Sequence, residues 1–137
     1  VMNMGKRYDV KVLIENVGLR TKNNVLFDLP EYVALFDIFP QAGALLDTGH
    51  AHVNGWDIPA VVKALGERLA ACHVHDNDGS GDAHLPVGQG DIDWKAYFGA
   101  VKKYAPQATQ VFEYCCGFNN TKDLEANIAE LKAKYKL

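Results

Sequence analysis

Four side chains that can bind a metal ion recur along the chain at intervals close to the length of one strand-and-helix repeat. They are Glu15, Asp47, His75 and Glu113, and the intervals between them are 32, 28 and 38 residues. Three carboxylates that converged beside an imidazole would repel one another unless a cation lay among them. An oxygen-rich set of this kind suits Mn²⁺, Mg²⁺ or Co²⁺ and is also compatible with Zn²⁺. The spacing therefore predicts one divalent-metal site.

The choice of the histidine ligand depends on its place in a strand. His73 and His75 are two residues apart, so both side chains face the same side if the backbone is extended. We choose His75 because it lies nearer the end of the predicted strand, and His73 remains the alternative.

A second group of polar side chains accompanies these ligands. His50 follows Asp47 by three residues, and Asp82 and His84 lie two residues apart in a loop rich in glycine and aspartate. Three interpretations stay open for this group. It holds a second metal ion, binds substrate hydroxyls, or only makes hydrogen bonds within the loop.

Two further side chains are placed to contact a substrate. Trp56 follows the second strand and is suited either to stacking on a sugar face or to packing over a helix end. Asn16 lies beside Glu15, where it would orient that carboxylate or bind a substrate oxygen.

An alternation of strands and helices must position these groups. Buried strands are predicted at 8–17, 42–47, 69–76 and 109–114, where apolar and β-branched residues concentrate. Apolar residues at helical spacing predict four helices. The first begins at Pro30 and the third at Trp94, and the second and fourth follow N-caps at Asp57 and Thr121. The order β-α-β-α-β-α-β-α predicts an α/β fold with a parallel sheet and right-handed crossovers. In such a sheet the carboxyl ends of all strands lie at one edge, where ligand sites form.

The composition fits one domain with a buried core. The chain has 137 residues, of which 48% are hydrophobic and 23% charged, and its formal net charge is −3. The three arginines, Arg7, Arg20 and Arg68, are scattered. This distribution argues against a surface that follows a phosphate backbone, so nucleic acid is not the expected partner.

The cysteines and the hydropathy bear on the compartment. Cys72, Cys115 and Cys116 are odd in number, and adjacent cysteines pair only with strain, so we expect buried thiols in place of disulfides. No apolar run is long enough to span a bilayer, and no charged-then-apolar leader is present. We therefore expect a cytoplasmic protein.

Four segments resemble the second half of the xylose isomerase-like TIM barrels, from about Val10 to the end of the chain. They are "LIENVG", "LLDTGHAH", "HVHDNDGSGDAHLPVGQGDIDW" and "VFEY". That superfamily includes sugar-phosphate isomerases and epimerases, inosose dehydratases, ketohexose 3-epimerases and apurinic-site endonucleases of the endonuclease IV type. The motifs together are specific for the superfamily and leave the substrate open.

The resemblance implies roles for individual residues. The metal ligands would be Glu15, Asp47, His75 and Glu113. In the epimerase members the two glutamates would also move protons, one on each face of a substrate carbon. His50 would contact the substrate. In the endonuclease members, residues that match His50, Asp82 and His84 hold an additional zinc ion.

The chain departs from the superfamily in length, since these barrels have eight strands and roughly 250 residues. We interpret residues 1–137 as a single domain that is the C-terminal half of such a barrel, an interpretation to which the unusual start Val1-Met2-Asn3-Met4 contributes. Four parallel strands alone leave apolar surface and open edges uncovered. We therefore expect a partner, either a second copy of the chain or a missing N-terminal half-barrel.

These expectations lead to one leading hypothesis and two alternatives. The leading hypothesis is a divalent-metal-dependent isomerase or epimerase of a sugar or sugar phosphate. In it the cation polarises a substrate carbonyl, and the glutamates move the proton of the adjacent carbon through an enediolate. The first alternative is an endonuclease IV-like zinc phosphodiesterase. The second is a truncated half-barrel without catalytic activity.

Overall fold

The computed structural model describes all 137 residues, and its centre is a four-stranded sheet in which neighbouring strands are parallel. The strands are β1 (Leu13–Glu15), β2 (Gly43–Asp47), β3 (Leu69–Val74) and β4 (Thr109–Phe112), and they lie side by side in chain order. The helices are α1 (Met2–Tyr8), α2 (Leu29–Ile38), α3 (Thr48–Val53), α4 (Ile58–Leu65), α5 (Trp94–Tyr104) and α6 (Thr121–Tyr135). The predicted α/β fold of four βα units is confirmed.

The two faces of the sheet differ in burial because successive side chains of a strand point to opposite sides. Leu46, Cys72 and Val74 belong to the face that packs against the helices, and all three are fully buried. On the opposite face His73 is only partly buried, and Val111 is 43% exposed. Helices therefore cover one face, and the other is open to a ligand or to another piece of protein.

Helix α2 is fixed to the sheet by hydrogen bonds as well as by apolar contacts. The buried Tyr32 hydroxyl contacts the carbonyl oxygens of Ile14 (3.1 Å) and Leu45 (2.7 Å), which lie on β1 and β2. A hydroxyl has one proton, so it donates to one carbonyl at a time. The helix is thereby held over the two strands that carry the first two predicted ligands.

Side chains cap the helices at the ends where backbone N–H groups lack partners. Asp57 caps α4, as predicted, by accepting a hydrogen bond from the Ala60 N–H (3.1 Å). The cap of α6 is Asn120 and not the predicted Thr121, because the Asn120 side chain accepts from the Asp123 N–H (3.1 Å).

Other boundaries also differ from the sequence prediction. The first predicted strand began at Tyr8, but that residue ends α1, and the chain leaves the helix through Asp9 at φ 54°. The β structure of that segment is limited to three residues because β1 pairs with β2 only from Leu13 to Glu15. His50 lies in the short helix α3, which the sequence did not predict and for which Asp47 is the N-cap.

The cysteines only partly match their prediction. Cys72 is buried, whereas Cys115 and Cys116 are exposed. The reason is their position, since they lie in a bend after the end of β4 and not in a strand or a helix. None of the helices has both the length and the apolar character that crossing a bilayer requires.

Candidate metal centre

Four ionisable side chains meet on the open face at the carboxyl ends of the strands. Glu15 and Asp47 are the last residues of β1 and β2, His73 lies in β3 directly across from Asp47, and Glu113 follows β4. The His73 Nδ1 atom lies 3.4 Å from Glu15 Oε1, 3.7 Å from Asp47 Oδ2 and 3.2 Å from Glu113 Oε2. The structure thus gathers three carboxylates around one imidazole, as the spacing predicted.

The imidazole at the centre of this group belongs to His73, whereas the sequence prediction chose His75. The His75 ring is fully buried, and its Nε2 atom lies 3.1 Å from Asp47 Oδ2, behind that carboxylate. Strand β3 ends at Val74, so the regular alternation of side chains does not extend to His75. His73 thus approaches Asp47 from the open face of the sheet, and His75 contacts the same carboxylate from the buried side.

Close packing holds His75 in this place. The His75 N–H donates to the Thr48 hydroxyl (3.2 Å), and the same hydroxyl approaches the His75 carbonyl oxygen (3.0 Å). Gly49 packs so closely on the ring that a Cβ atom at that position would overlap it. The glycine is therefore required by the approach of the imidazole.

Asp47 and His75 shift each other's ionisation. Burial alone raises the pKa of the Asp47 carboxyl, but the hydrogen bond and charge of His75, assisted by His50, outweigh it and leave the pKa below its ordinary value. Burial likewise lowers the pKa of His75, but Asp47, Asp82 and Glu113 together leave it above its ordinary value. The pair favours an ionised carboxylate, the form that binds a cation.

The second predicted group is also assembled. Asp82 Oδ2 lies between two imidazoles, 3.3 Å from His50 Nε2 and 3.1 Å from His84 Nε2. The His84 ring stacks on the His75 ring at a centroid separation of 3.8 Å and an interplanar angle of 10°. His75, His84 and Glu113 also offer ligand atoms within 4.8 Å of one another. The two predicted groups therefore form one continuous cluster.

Some polar atoms of this cluster suit a bound cation or substrate. His50 Nδ1, His75 Nδ1 and Asp82 Oδ1 are buried and have no hydrogen-bond partner. Buried polar atoms ordinarily find a partner, so an orphaned set at one place indicates a missing one. The donor set of carboxylate oxygens and imidazole nitrogens fits Mn²⁺, Co²⁺ or Zn²⁺, and its oxygens also fit Mg²⁺.

Two residues predicted as substrate contacts make contacts within the protein. Both polar groups of the Asn16 amide pair with the Asp47 backbone, with the Nδ2–H donating to the carbonyl (3.0 Å) and Oδ1 accepting from the N–H (2.7 Å). Trp56 packs against Tyr32 with ring centroids 5.8 Å apart, which supports packing over a helix end as its role. Asn16 therefore joins the end of β1 to the end of β2, and Trp56 lies at the edge of the core.

A buried carboxylate that the sequence reasoning missed organises the loop of Asp82 and His84. Asp76 is fully buried and accepts hydrogen bonds from the Gly88 N–H (2.8 Å) and the Trp94 Nε1–H (2.7 Å). It also accepts from the N–H groups of Asn77 and Ile92 (3.0 and 3.3 Å). These bonds join the start and the end of the loop. The run "HVHD" contained the signal, since an aspartate directly after a buried strand needs partners.

Comparisons with known proteins agree with this architecture. The profile of the xylose isomerase-like TIM barrel family matches residues 1–134. An uncharacterized protein of Methanocaldococcus jannaschii is 30% identical over 104 residues, which are 74% of this chain and 38% of that protein. An uncharacterized protein of Sinorhizobium fredii is 32% identical over 95 residues, which are 68% of this chain and 30% of that protein. The chain thus spans about a third of these relatives.

Solved structures show the same fold over about half of their length. A D-tagatose 3-epimerase-like protein superimposes with a TM-score of 0.75 and 24% identity, covering 96% of this chain and 49% of its own. The D-allulose 3-epimerase from Methylomonas sp. gives a TM-score of 0.77 and 18% identity, covering 98% and 51%. With the profile match over nearly every residue, the chain belongs to the xylose isomerase-like TIM barrel family and corresponds to about half of a barrel.

Proposed function

We propose that this chain is the metal-binding half of a cytoplasmic isomerase or epimerase that acts on a sugar or sugar phosphate. The observation that carries the proposal is the approach of three carboxylates within 3.7 Å of the His73 imidazole on the open face of the sheet. The sugar 3-epimerases among the structural neighbours support it. Two exposed free cysteines suit a reducing compartment, in agreement with a cytoplasmic location.

The proposed ligands of the divalent ion are Glu15, Asp47, His73 and Glu113, with His73 replacing His75. The His73 imidazole and the Glu15 carboxylate are each 26% exposed, and Glu113 is 47% exposed, so a substrate on the open face can reach them. Asp47 is only 1% exposed, and its place is fixed by His75 and by the His50 N–H, which donates to Oδ1 (2.7 Å). The set therefore combines one rigid ligand with three that are open to substrate.

The two glutamates are placed to transfer protons. Glu15 ends β1 and Glu113 follows β4, which are the two edge strands of the sheet. Since His73 lies on β3, between these edges, the two carboxylates approach its imidazole from opposite directions. A carboxylate there can remove a proton from a substrate carbon, and the second carboxylate, or the same one, can return it. A bound divalent cation would supply the positive charge that stabilises the developing oxyanion. His50 and the Asp82–His84 pair are suited to holding substrate hydroxyls.

The pocket needs a second piece of protein. The sheet has two unpaired edges, at β1 and β4, and an open face, and the chain spans only about half of its structural neighbours. We propose that a missing N-terminal half-barrel or a second copy of the chain completes the site. That piece would contribute the remaining wall of the sugar pocket.

Deuterium exchange in D₂O tests the proton transfer. The chain, loaded with Mn²⁺, Mg²⁺ or Co²⁺, is incubated with a panel of ketohexoses and their phosphates, and the C–H next to the carbonyl is followed by NMR. Exchange is expected from the unaltered chain once the piece that completes the pocket is present, and it should be lost in Glu113→Gln. Glu125→Gln, an exposed change of the same type on α6, serves as the control.

Two results would count against the proposal. Full exchange by Glu113→Gln would remove the proposed proton carrier. No exchange by the unaltered chain with both its metal and the completing piece bound would favour the half-barrel without catalytic activity.

A zinc phosphodiesterase is the second candidate, and the placement of Asp82 between His50 and His84 favours it. One carboxylate oxygen within 3.3 Å of two imidazole nitrogens is an arrangement that can bind a zinc ion. The formal net charge of −3 opposes it, because a nucleic acid substrate requires a basic surface. Metal analysis of the purified protein separates the two. One divalent ion per chain supports the isomerase, and several zinc ions support the phosphodiesterase.

A further inference from the structure

The two exposed cysteines lie beside the metal centre, on the turn that follows the Glu113 ligand. The Cys115 N–H donates to the His84 carbonyl oxygen (3.0 Å), and the Cys115 thiol donates to the Ala83 carbonyl oxygen (3.1 Å). Cys116 is also exposed, whereas the third cysteine, Cys72, is buried in the core. A pair of adjacent thiols thus contacts the loop that carries the second polar group of the site.

Geometry disfavours a disulfide between these two thiols. Consecutive Cα atoms are about 3.8 Å apart across a trans peptide, and no peptide bond in the chain is cis. Disulfides usually join Cα atoms roughly 4.4–6.8 Å apart. The bond would therefore be strained and easily reduced, so the pair stays available as two thiols.

The thiols are within reach of each other and border a cavity. Their Cα atoms are about 3.8 Å apart, because the two residues are adjacent in the chain. A cavity of about 330 Å³ is lined by both cysteines, and its wall also includes Phe112, Tyr114 and Phe118. The rings of Tyr114 and Phe118 stack with centroids 5.5 Å apart. The two cysteines therefore border a space large enough for an ion and one apolar substituent.

We propose that Cys115 and Cys116 form a bidentate site for a thiophilic metal or metalloid ion, separate from the carboxylate centre. Thiolates prefer soft ions, whereas carboxylates prefer hard ones, so the two sites differ in the ions that they select. Binding forms two bonds from sulfur to the ion, and the two thiol protons pass to the solvent. With phenylarsine oxide the two protons leave with the oxide oxygen as one water molecule.

Occupation of this dithiol site would reach the carboxylate centre. The Cys115 thiol would lose its proton and with it the hydrogen bond to the Ala83 carbonyl, next to His84 in the chain. The same turn begins at Glu113, two residues before Cys115. A thiophilic ion would thus loosen the contact between the turn and the loop that together hold Glu113 and His84.

Titration with Cd²⁺ tests the site through the ultraviolet thiolate-to-cadmium charge-transfer band. The unaltered chain should bind one thiolate-ligated Cd²⁺, and the affinity should fall at least tenfold in Cys115→Ser and in Cys116→Ser. Cys72→Ala is the control and should leave the band unchanged. Phenylarsine oxide should add one phenylarsenic group per chain, detected by mass spectrometry, in the unaltered chain and not in either serine variant.

The outcome is independent of the proposed enzymatic function. Glu113→Gln should keep the charge-transfer band, because the carboxylate centre contributes no sulfur ligand. The absence of a band in the unaltered chain, or an unchanged Cd²⁺ affinity in Cys116→Ser, would overturn the proposal. Circular dichroism of the serine variants checks that the fold is intact.

Discussion

The relation between His73 and His75 gives the sharpest prediction, because the two imidazoles lie within 4 Å of the same carboxylate in different surroundings. Both lie near Asp47 Oδ2, at 3.7 and 3.1 Å. His73 is open to the surface and touches two further carboxylates, whereas His75 is fully buried. We expect replacement of His73 to remove a metal ligand, and replacement of His75 to remove only the support of one.

The size of each effect follows from these contacts. His75→Phe keeps the volume of the ring and removes the hydrogen bond to Asp47, and loss of such a supporting bond lowers metal affinity roughly 10- to 100-fold. That loss corresponds to about 1.4–2.8 kcal/mol. His75→Gln can still donate a hydrogen bond to the carboxylate, so its loss should stay below about tenfold. His73→Gln removes a proposed ligand, so its loss of metal affinity should be larger than the loss in His75→Phe.

Isothermal titration with Mn²⁺ measures these affinities, and urea unfolding of the metal-free proteins shows whether each variant folds. The predicted order of affinity is unaltered chain, His75→Gln, His75→Phe and then His73→Gln. Loss of binding in His75→Gln together with nearly full binding in His73→Gln would refute the assignment and restore His75 as the ligand.

The same pair makes the stability of the metal-free protein depend on pH. Asp47 has a folded pKa below its ordinary value of 3.8, so its contribution is present above that pH and is lost as the pH falls through the lowered value. His75 has a folded pKa above its ordinary value of 6.5, so its contribution is present below 6.5 and is lost as the pH rises through the raised value. The difference in unfolding free energy between the unaltered chain and His75→Phe should therefore be largest between about pH 4 and 6.5.

Three further predictions concern the supporting residues and the missing half. Asp76→Asn should destabilise the fold by about 1–3 kcal/mol in urea unfolding, because the Trp94 indole and three backbone N–H groups lose a charged acceptor; an unchanged midpoint would contradict this. Gly49→Ala should cost about 1–3 kcal/mol, because its Cβ would overlap the His75 ring, and a crystal structure should show the ring displaced. Gel filtration with small-angle scattering should show a particle larger than the 15.1 kDa monomer, and a compact, well-folded monomer would refute the need for a partner.

The local sequence determined the repeat and the place of the site. Apolar runs alternate with helical spacing four times, and parallel strands joined by helices place all their carboxyl ends at one edge. Polar residues at the ends of those runs must then meet, which is why the convergence of Glu15, Asp47 and Glu113 could be predicted. The quoted motifs supplied the family, which the profile match confirmed.

Tertiary structure decided which way the remaining side chains point. The sequence cannot show that β3 stops at Val74, and this stop places His75 behind Asp47 while His73 faces the site. The partners of Asn16 and Asp76 lie up to 31 and 18 residues away along the chain, so no local pattern reveals them. Hydrophobic periodicity reports which residues are buried, but the direction of a polar side chain depends on where a strand ends and on which distant groups satisfy its hydrogen bonds.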